Sequence, residues 1–220
     1  MGSAGDGLAG RAGAGSAEVR SLYDDWAPGY DADVEMWGYA VPGRVAELIA
    51  DRVPSGRVLD AGCGTGLVGV AIAVRNPEID LVGIDVSPAS VTLARERNVY
   101  AELSVASLDE RLDATDGSFD AVVCAGVLSY VADVEATLAE MIRVARPGGR
   151  VVATHRSDLW SEQEGDAIVE RLVAAHDVTA SVSDPQPYLP DHDEFGDEIE
   201  VIYVTLDLAP AAADVSGAPD

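Results

Sequence analysis

The sequence predicts a three-layer α/β sandwich, with helices on both faces of a mostly parallel seven-stranded sheet whose last strand is antiparallel. Three observations predict it. Apolar runs alternate with amphipathic stretches along most of the chain, the pattern of successive βαβ units. The length, 220 residues and 22.9 kDa, suits one domain with a substantial core and is short for two. Hydrophobic residues make up 48% of the chain and aromatic ones only 5%, the Ala- and Val-rich balance that a buried parallel sheet requires.

The ends come first. Residues 1–16 are mainly Gly, Ala and Ser, and residues 209–220 repeat that character, so disordered tails are expected around one domain over 17–208. Pro54-Ser55-Gly56 breaks a preceding helix, and Val58-Leu59-Asp60 ends a first strand. A helix over Leu67–Val74 leaves the glycine turn that follows. Asp80–Asp85 is a second strand, and Pro88 in a first-turn position opens a helix through about Arg97. Tyr100–Val105 and Phe119–Cys124 are the third and fourth strands. A helix over Val131–Ala145 is expected to stop at Pro147-Gly148-Gly149, before a fifth strand over Arg150–Thr154 and a helix over about Glu162–Ala175. Val178–Val182 and Glu198–Leu208 complete the sheet, and alternation of apolar and polar side chains marks the latter as antiparallel or edge.

The formal net charge is -25, from 39 acidic and 14 basic residues, and every basic residue is Arg. Such a surface repels a phosphate backbone, so no nucleic-acid partner is expected. It also suits adaptation to high salt, where screening relieves the self-repulsion; a merely acidic composition is the alternative. No apolar run approaches eighteen residues and no basic-then-apolar leader opens the chain, so no membrane partner is expected. Two cysteines, Cys63 and Cys124, lie at element ends rather than in a disulfide framework, which fits a reducing cytoplasm. His155, His176 and His192 are scattered, and no metal site is expected.

The strongest motif is Val58-Leu59-Asp60-Ala61-Gly62-Cys63-Gly64-Thr65-Gly66, at the passage from strand to helix. Glycines there allow positive φ and a close approach of backbone to ligand. A dinucleotide fingerprint would place a last glycine where Leu67 stands, and the acid at position 60 would repel a pyrophosphate. A tight turn without a ligand is the plainer alternative. Asp85 strengthens the ligand reading: it ends the second strand a little over twenty residues after the first glycine, where a carboxylate can accept both ribose hydroxyls. Its other reading, a helix cap, is already filled by Ser87.

These motifs resemble those of the class I, Rossmann-like, S-adenosylmethionine-dependent methyltransferases. The resemblance implies that Asp60, Ala61, Gly62, Cys63, Gly64 and Gly66 wrap the methionine end of S-adenosylmethionine, with Asp60 bearing on its amino group directly or through water. Val86 would lie on the adenine face. Ser107 stands where many members place an adenine-binding Asp, with Leu108 as the apolar neighbour. Asp116-Gly117-Ser118-Phe119-Asp120 and Arg146-Pro147-Gly148-Gly149-Arg150 match the fourth-strand motif and the turn before the fifth. Cys124, Ala125 and Gly126 would line the sulfonium end by backbone contacts; for Cys124 a small buried hydrophobe is the reading preferred over a nucleophile.

Upstream, Tyr23-Asp24-Asp25-Trp26-Ala27-Pro28-Gly29-Tyr30-Asp31 concentrates aromatic residues in an aromatic-poor chain. It is either a hydrophobic staple or, as the resemblance implies, a lid in which Tyr23, Trp26 and Tyr30 close over the sulfonium. With Tyr188-Leu189-Pro190-Asp191-His192 and the final strand, the chain from Tyr23 to Leu208 is most similar to the Williams-Beuren syndrome region methyltransferase-like proteins.

The activity this implies is in-line methyl transfer to a small-molecule acceptor that the sequence leaves unidentified. Positioning can supply roughly 7–11 kcal/mol of such a barrier. A general base is needed only where the acceptor loses a proton, and the candidates are His155 after the fifth strand and Tyr130 after the fourth. Two other readings stay open: an NAD(P)-binding oxidoreductase, and a non-catalytic module that keeps the cofactor fold.

Overall fold

The computed structural model describes residues 16–193, 196 and 198–211. The expected tails fall largely outside these; Ser16 already opens the first helix, and Ala209 is tied down by hydrogen bonds to Asp177 and Gly148. Two helices, α1 (Ser16–Met36) and α2 (Val41–Ala50), lead into β1 (Gly56–Ala61), α3 (Leu67–Arg75), β2 (Ile79–Asp85), α4 (Pro88–Glu96), β3 (Tyr100–Val105) and β4 (Phe119–Cys124). Then follow a 3-10 turn (Leu128–Tyr130), α5 (Val134–Val144), β5 (Ala145–Arg156), α6 (Ser157–Glu162), α7 (Gly165–Ala175), β6 (Val178–Val182), β7 (Gln186–Pro187) and β8 (Glu200–Leu208).

The sheet order is β3-β2-β1-β4-β5-β8-β6, with β7 paired to β8. Strands β1 to β5 run parallel, and β8 lies antiparallel between β5 and β6. The seven expected strands are all present, and β7 adds a two-residue eighth that is too short to show in a hydrophobic pattern. Alternation along the strands sends Leu59, Val82, Val122 and Val151 to one face, where Leu138, Met141 and Leu172 of α5 and α7 cover them. Val58, Leu81, Val123 and Val152 face the other way, under Val45, Ile49 and Ile72 of α2 and α3. These two cores give the three layers.

Three boundaries differ from the sequence expectation. Helix α5 starts at Val134 rather than Val131, because the Asp133 side chain caps it by accepting from the Ala136 amide at 2.9 Å. It ends at Val144, and Pro147-Gly148-Gly149 lies within β5, where the pairing with β4 shifts register between Phe119 and Ala121. The helix expected over 162–175 is α7, which starts at Gly165 and ends at Ala175 as expected; the short helix α6 precedes it, ending at Glu162 where the expected range begins, and the two are joined through Glu164 in the left-handed region. The Trp160 ring forces the break: a Cβ on Gly165 would lie 2.1 Å from Trp160 Cδ2, so the chain turns around the indole, whose N–H donates to Asp166.

Candidate cofactor and acceptor site

The order β2-β1-β4 puts the topological switch point beside β1, at the carboxyl ends of the strands, where a crevice opens in folds of this kind. The register of β1 on β2 pairs Asp60 with Gly83 and Ala61 with Ile84, which brings the glycine turn against the end of β2. Gly62 and Cys63 donate their amides to the Ile84 carbonyl at 2.8 and 2.9 Å. Gly62 takes φ +81°, and a Cβ there would sit 2.4 Å from Val127 Cγ2, so only glycine fits this bend.

Asp85 closes the arrangement. Its Oδ2 accepts from the Gly64 amide and its Oδ1 from the Ser87 amide, both at 2.8 Å. Burial raises its pKa against those backbone bonds. Ser87 caps α4, its Oγ accepting from Ser90 at 3.0 Å.

Around this corner lies a cavity of about 730 Å³, counting its open mouth. Of the residues singled out in sequence, Tyr23, Tyr30, Gly62, Gly64, Asp85, Val86, Ser107, Leu108, Ala125, Gly126 and Tyr130 line it. Ser107 Oγ accepts from the Asp109 amide at 3.2 Å, and Asp109 also lines the cavity. Helix α1 forms the roof. Asp24 accepts from Ser87 Oγ at 2.6 Å and from the Ala89 amide at 3.1 Å, at the positive end of α4, and Asp31 pairs with Thr65 and Arg97. Sequence reasoning missed Ser16 and Val19 in this roof, although 16, 19, 23 and 30 recur at helical spacing on one face.

The structure does not bring the remaining predicted residues to this cavity. Ala61, Cys63 and Cys124 are buried in the sheet and its turn. Gly66 caps α3 beside Arg97 and Tyr100. Trp26 lies on the far side of Tyr30, with its indole N–H on Asp33 at 2.7 Å. His155 is buried edge-on against Trp160, its Nδ1 2.9 Å from the Arg156 carbonyl, and it lines no cavity described here. Desolvation lowers its pKa, so it is a neutral core imidazole. Because β5 alternates faces, His155 shares the face of Val151 and Ala153 and turns toward Trp160.

Asp60 stands behind the glycine turn. Its Oδ2 accepts from the Tyr100 hydroxyl at 2.6 Å, and its Oδ1 is buried without a hydrogen-bond partner. Desolvation outweighs the Tyr100 hydrogen bond and pushes its pKa up to about 7. The folded protein therefore holds a proton that the unfolded chain loses near pH ~4. Between that pH and about 7, stability from this group falls as pH rises, and it levels off above. Urea titrations across this range are expected to show that fall for the native chain and a flatter profile for Asp60→Asn.

A second chamber of about 420 Å³ adjoins the first and shares Tyr23, Tyr30 and Tyr130 with it. Trp26, Val34, Tyr39, Arg156, Tyr188, Leu189 and Ile199 complete its wall. Tyr39 and Tyr188 meet edge to face at 5.6 Å and share a hydroxyl hydrogen bond. Among the described residues no cluster suited to a metal ion occurs, and no helix is long and apolar enough to cross a membrane.

Comparison with known proteins gives three kinds of match. Residues 58–149 match the family model described as Methyltransferase domain. Methyltransferase-like protein 27 of Homo sapiens is 35% identical over 168 residues, covering 72% of this chain and 67% of that protein. A demethylmenaquinone methyltransferase of Deinococcus radiodurans is 41% identical over 140 residues, 61% of this chain and 58% of that one, so the chain spans under two thirds of this relative's length. Among solved structures, geranyl diphosphate C-methyltransferase from Streptomyces coelicolor, bound to Mg2+, geranyl diphosphate and S-adenosyl-L-homocysteine, superposes with a TM-score of 0.58. It is 17% identical, with 76% of this chain and 79% of that chain covered, and so speaks to fold alone.

Proposed function

The chain belongs to the class I S-adenosylmethionine-dependent methyltransferases, and from that premise we propose that its larger cavity binds S-adenosylmethionine for methyl transfer to a small molecule. The observation that carries the reading is Asp85. Each of its oxygens accepts one backbone amide and keeps a lone pair for a ribose hydroxyl, at a cavity wall formed by the glycine turn.

The other residues fit the cofactor as well. Asp60 Oδ1, buried and unpartnered behind the turn, suits an ammonium reached through water. The cavity leaves open space at Gly64, where an added Cβ would meet nothing within 4 Å. Val86, Ala106 and Leu108 offer apolar contact to a base, with Ser107 and Asp109 as polar neighbours. Bound there, S-adenosylmethionine supplies a methyl group already activated by its sulfonium. Tyr23 and Tyr30, held by α1, cover the cavity and exclude water. Catalysis then rests on positioning. Tyr130, at the junction of the two chambers, touches both ligands in this reading, whereas His155 serves the core.

The test is methyl transfer itself. Incubation with methyl-labelled S-adenosylmethionine and a small-molecule extract is expected to yield labelled product together with S-adenosylhomocysteine. Binding of NADH in place of the sulfonium cofactor would favour an oxidoreductase, and cofactor binding with no transfer to any fraction would favour a non-catalytic module.

We also read the acidic surface as a salt adaptation, and the two buried free cysteines as suited to a reducing cytoplasm. With 39 acidic against 14 basic residues, self-repulsion at low salt is large. Raising potassium chloride from millimolar to molar shortens the Debye length to about 3 Å. The thermal midpoint is expected to rise with it; a flat or falling midpoint would remove the salt reading while leaving the methyltransferase reading intact.

A further inference from the structure

We propose that the aromatic chamber beside the larger cavity is the acceptor site and that it takes a compact, ring-bearing carboxylic acid as its carboxylate, which is methylated on oxygen. The proposal rests on the reading that the larger cavity holds S-adenosylmethionine.

Location comes first. The chamber shares three tyrosines with the larger cavity, and its Tyr39 and Tyr188 hydroxyls stand 3.1 and 3.3 Å from where a Cβ on Gly126 would be. Gly126 lines the larger cavity, so those hydroxyls mark the passage between the two. The wall is polarised around that passage. The charge of Arg156 reaches Tyr188, and Asp158 holds the guanidinium in place through Nε at 3.1 Å and Nη2 at 2.6 Å. Four of the seven residues that belong to the second chamber alone, Trp26, Val34, Leu189 and Ile199, pack in one apolar cluster. A ligand that matches this wall has an apolar ring and an acidic group aimed at the passage, where the methyl group is delivered.

The chemistry of the wall narrows the class. No carboxylate and no imidazole lines the chamber among the described residues. Burial holds the Tyr23, Tyr30, Tyr39 and Tyr188 hydroxyls protonated, as donors rather than bases. An ammonium would therefore find no carboxylate on this wall and would face a guanidinium whose counter-ion is Asp158, and an ordinary alcohol or phenol would find no carboxylate or imidazole there to take its proton. A carboxylate arrives ionised and is met by a guanidinium and hydroxyl donors. In the transfer, a carboxylate oxygen lone pair forms the new C–O bond as the C–S bond breaks and its electron pair leaves on sulfur. The products are a methyl ester and S-adenosylhomocysteine, and no proton is released.

The experiment titrates the full chain, saturated with S-adenosylhomocysteine, with benzoate and phenylacetate, and with benzylamine, phenol and benzamide as contrasts. The acids are expected to bind and the contrasts to bind more weakly or not at all. With S-adenosylmethionine, the acids are expected to give methyl ester and S-adenosylhomocysteine in equal amounts without acidifying a weak buffer. Arg156→Gln and, as a variant that leaves the Asp158 pair alone, Tyr188→Phe are each expected to weaken acid binding about ten-fold or more while leaving S-adenosylhomocysteine affinity unchanged. Failure of both acids to bind, methylation of the amine or phenol with release of a proton, or indifference of acid binding to both variants would overturn the proposal. If S-adenosylhomocysteine itself failed to bind, the cofactor reading would fall first and this one with it.

Discussion

Asp85→Ala is expected to weaken binding of S-adenosylhomocysteine by about a hundred-fold or more while the protein stays folded. Hydrogen bonds to an ionised partner contribute about 1.5–3 kcal/mol each, and the ribose diol would lose two, or about 3 kcal/mol and upward. The same substitution frees the Gly64 and Ser87 amides, loosening the turn that the carboxylate holds. Stability responds less, because two opposing effects meet. Removing a buried carboxylate whose pKa burial has raised relieves a desolvation cost, while the freed amides forfeit their bonds. Calorimetric titration beside a thermal melt separates the two. Asp85→Asn, which keeps one acceptor, is expected to fall between alanine and the native chain.

Gly62→Ala is expected to damage both folding and binding, and Val127 tells the two apart. At φ +81° an alanine costs about 1–3 kcal/mol in backbone strain alone. Its methyl would also lie 2.4 Å from Val127 Cγ2, and Val127 lines the larger cavity. Relief of that overlap pushes Val127 into the space the cofactor needs, so affinity falls along with the denaturation midpoint. In the double variant Gly62→Ala with Val127→Ala the 2.4 Å overlap is gone, only a 3.2 Å contact with the remaining Cβ is left, and the strain persists. Affinity should recover in part while stability does not, a coupling that a double-mutant cycle reads directly.

What the sequence made legible was whatever sits contiguously at strand ends. The glycine turn and Asp85 fall at the carboxyl ends of neighbouring strands, so one stretch of chain reports a corner of the site. Alternation then limits what such a motif can say. Ala61, Cys63 and Cys124 belong to the same motifs as Gly62 and Ala125 yet are turned into the core, and His155 is turned toward Trp160. Asp60 was visible as an acid but its partner was not, since Tyr100 lies forty residues on and comes within 2.6 Å only after β3 joins the sheet.

The second chamber was the least legible part. Tyr39, Arg156, Tyr188 and Ile199 come from four separate segments, and no local pattern joins them. Trp26 was singled out with its neighbours as a cofactor lid, and the helical turn that sends Tyr23 and Tyr30 to the larger cavity sends the indole only to the second. The break between α6 and α7 was hidden for a similar reason. Its cause is a tertiary contact between Trp160 and Gly165 rather than a weak helix sequence.

If the corner between the glycine turn and Asp85 grips a sulfonium nucleoside, titration calorimetry with S-adenosylhomocysteine reads that grip without intermediate steps. Saturable binding at one site per chain is expected. A folded protein, in salt that keeps it so, that gives no heat with S-adenosylhomocysteine or S-adenosylmethionine would contradict it.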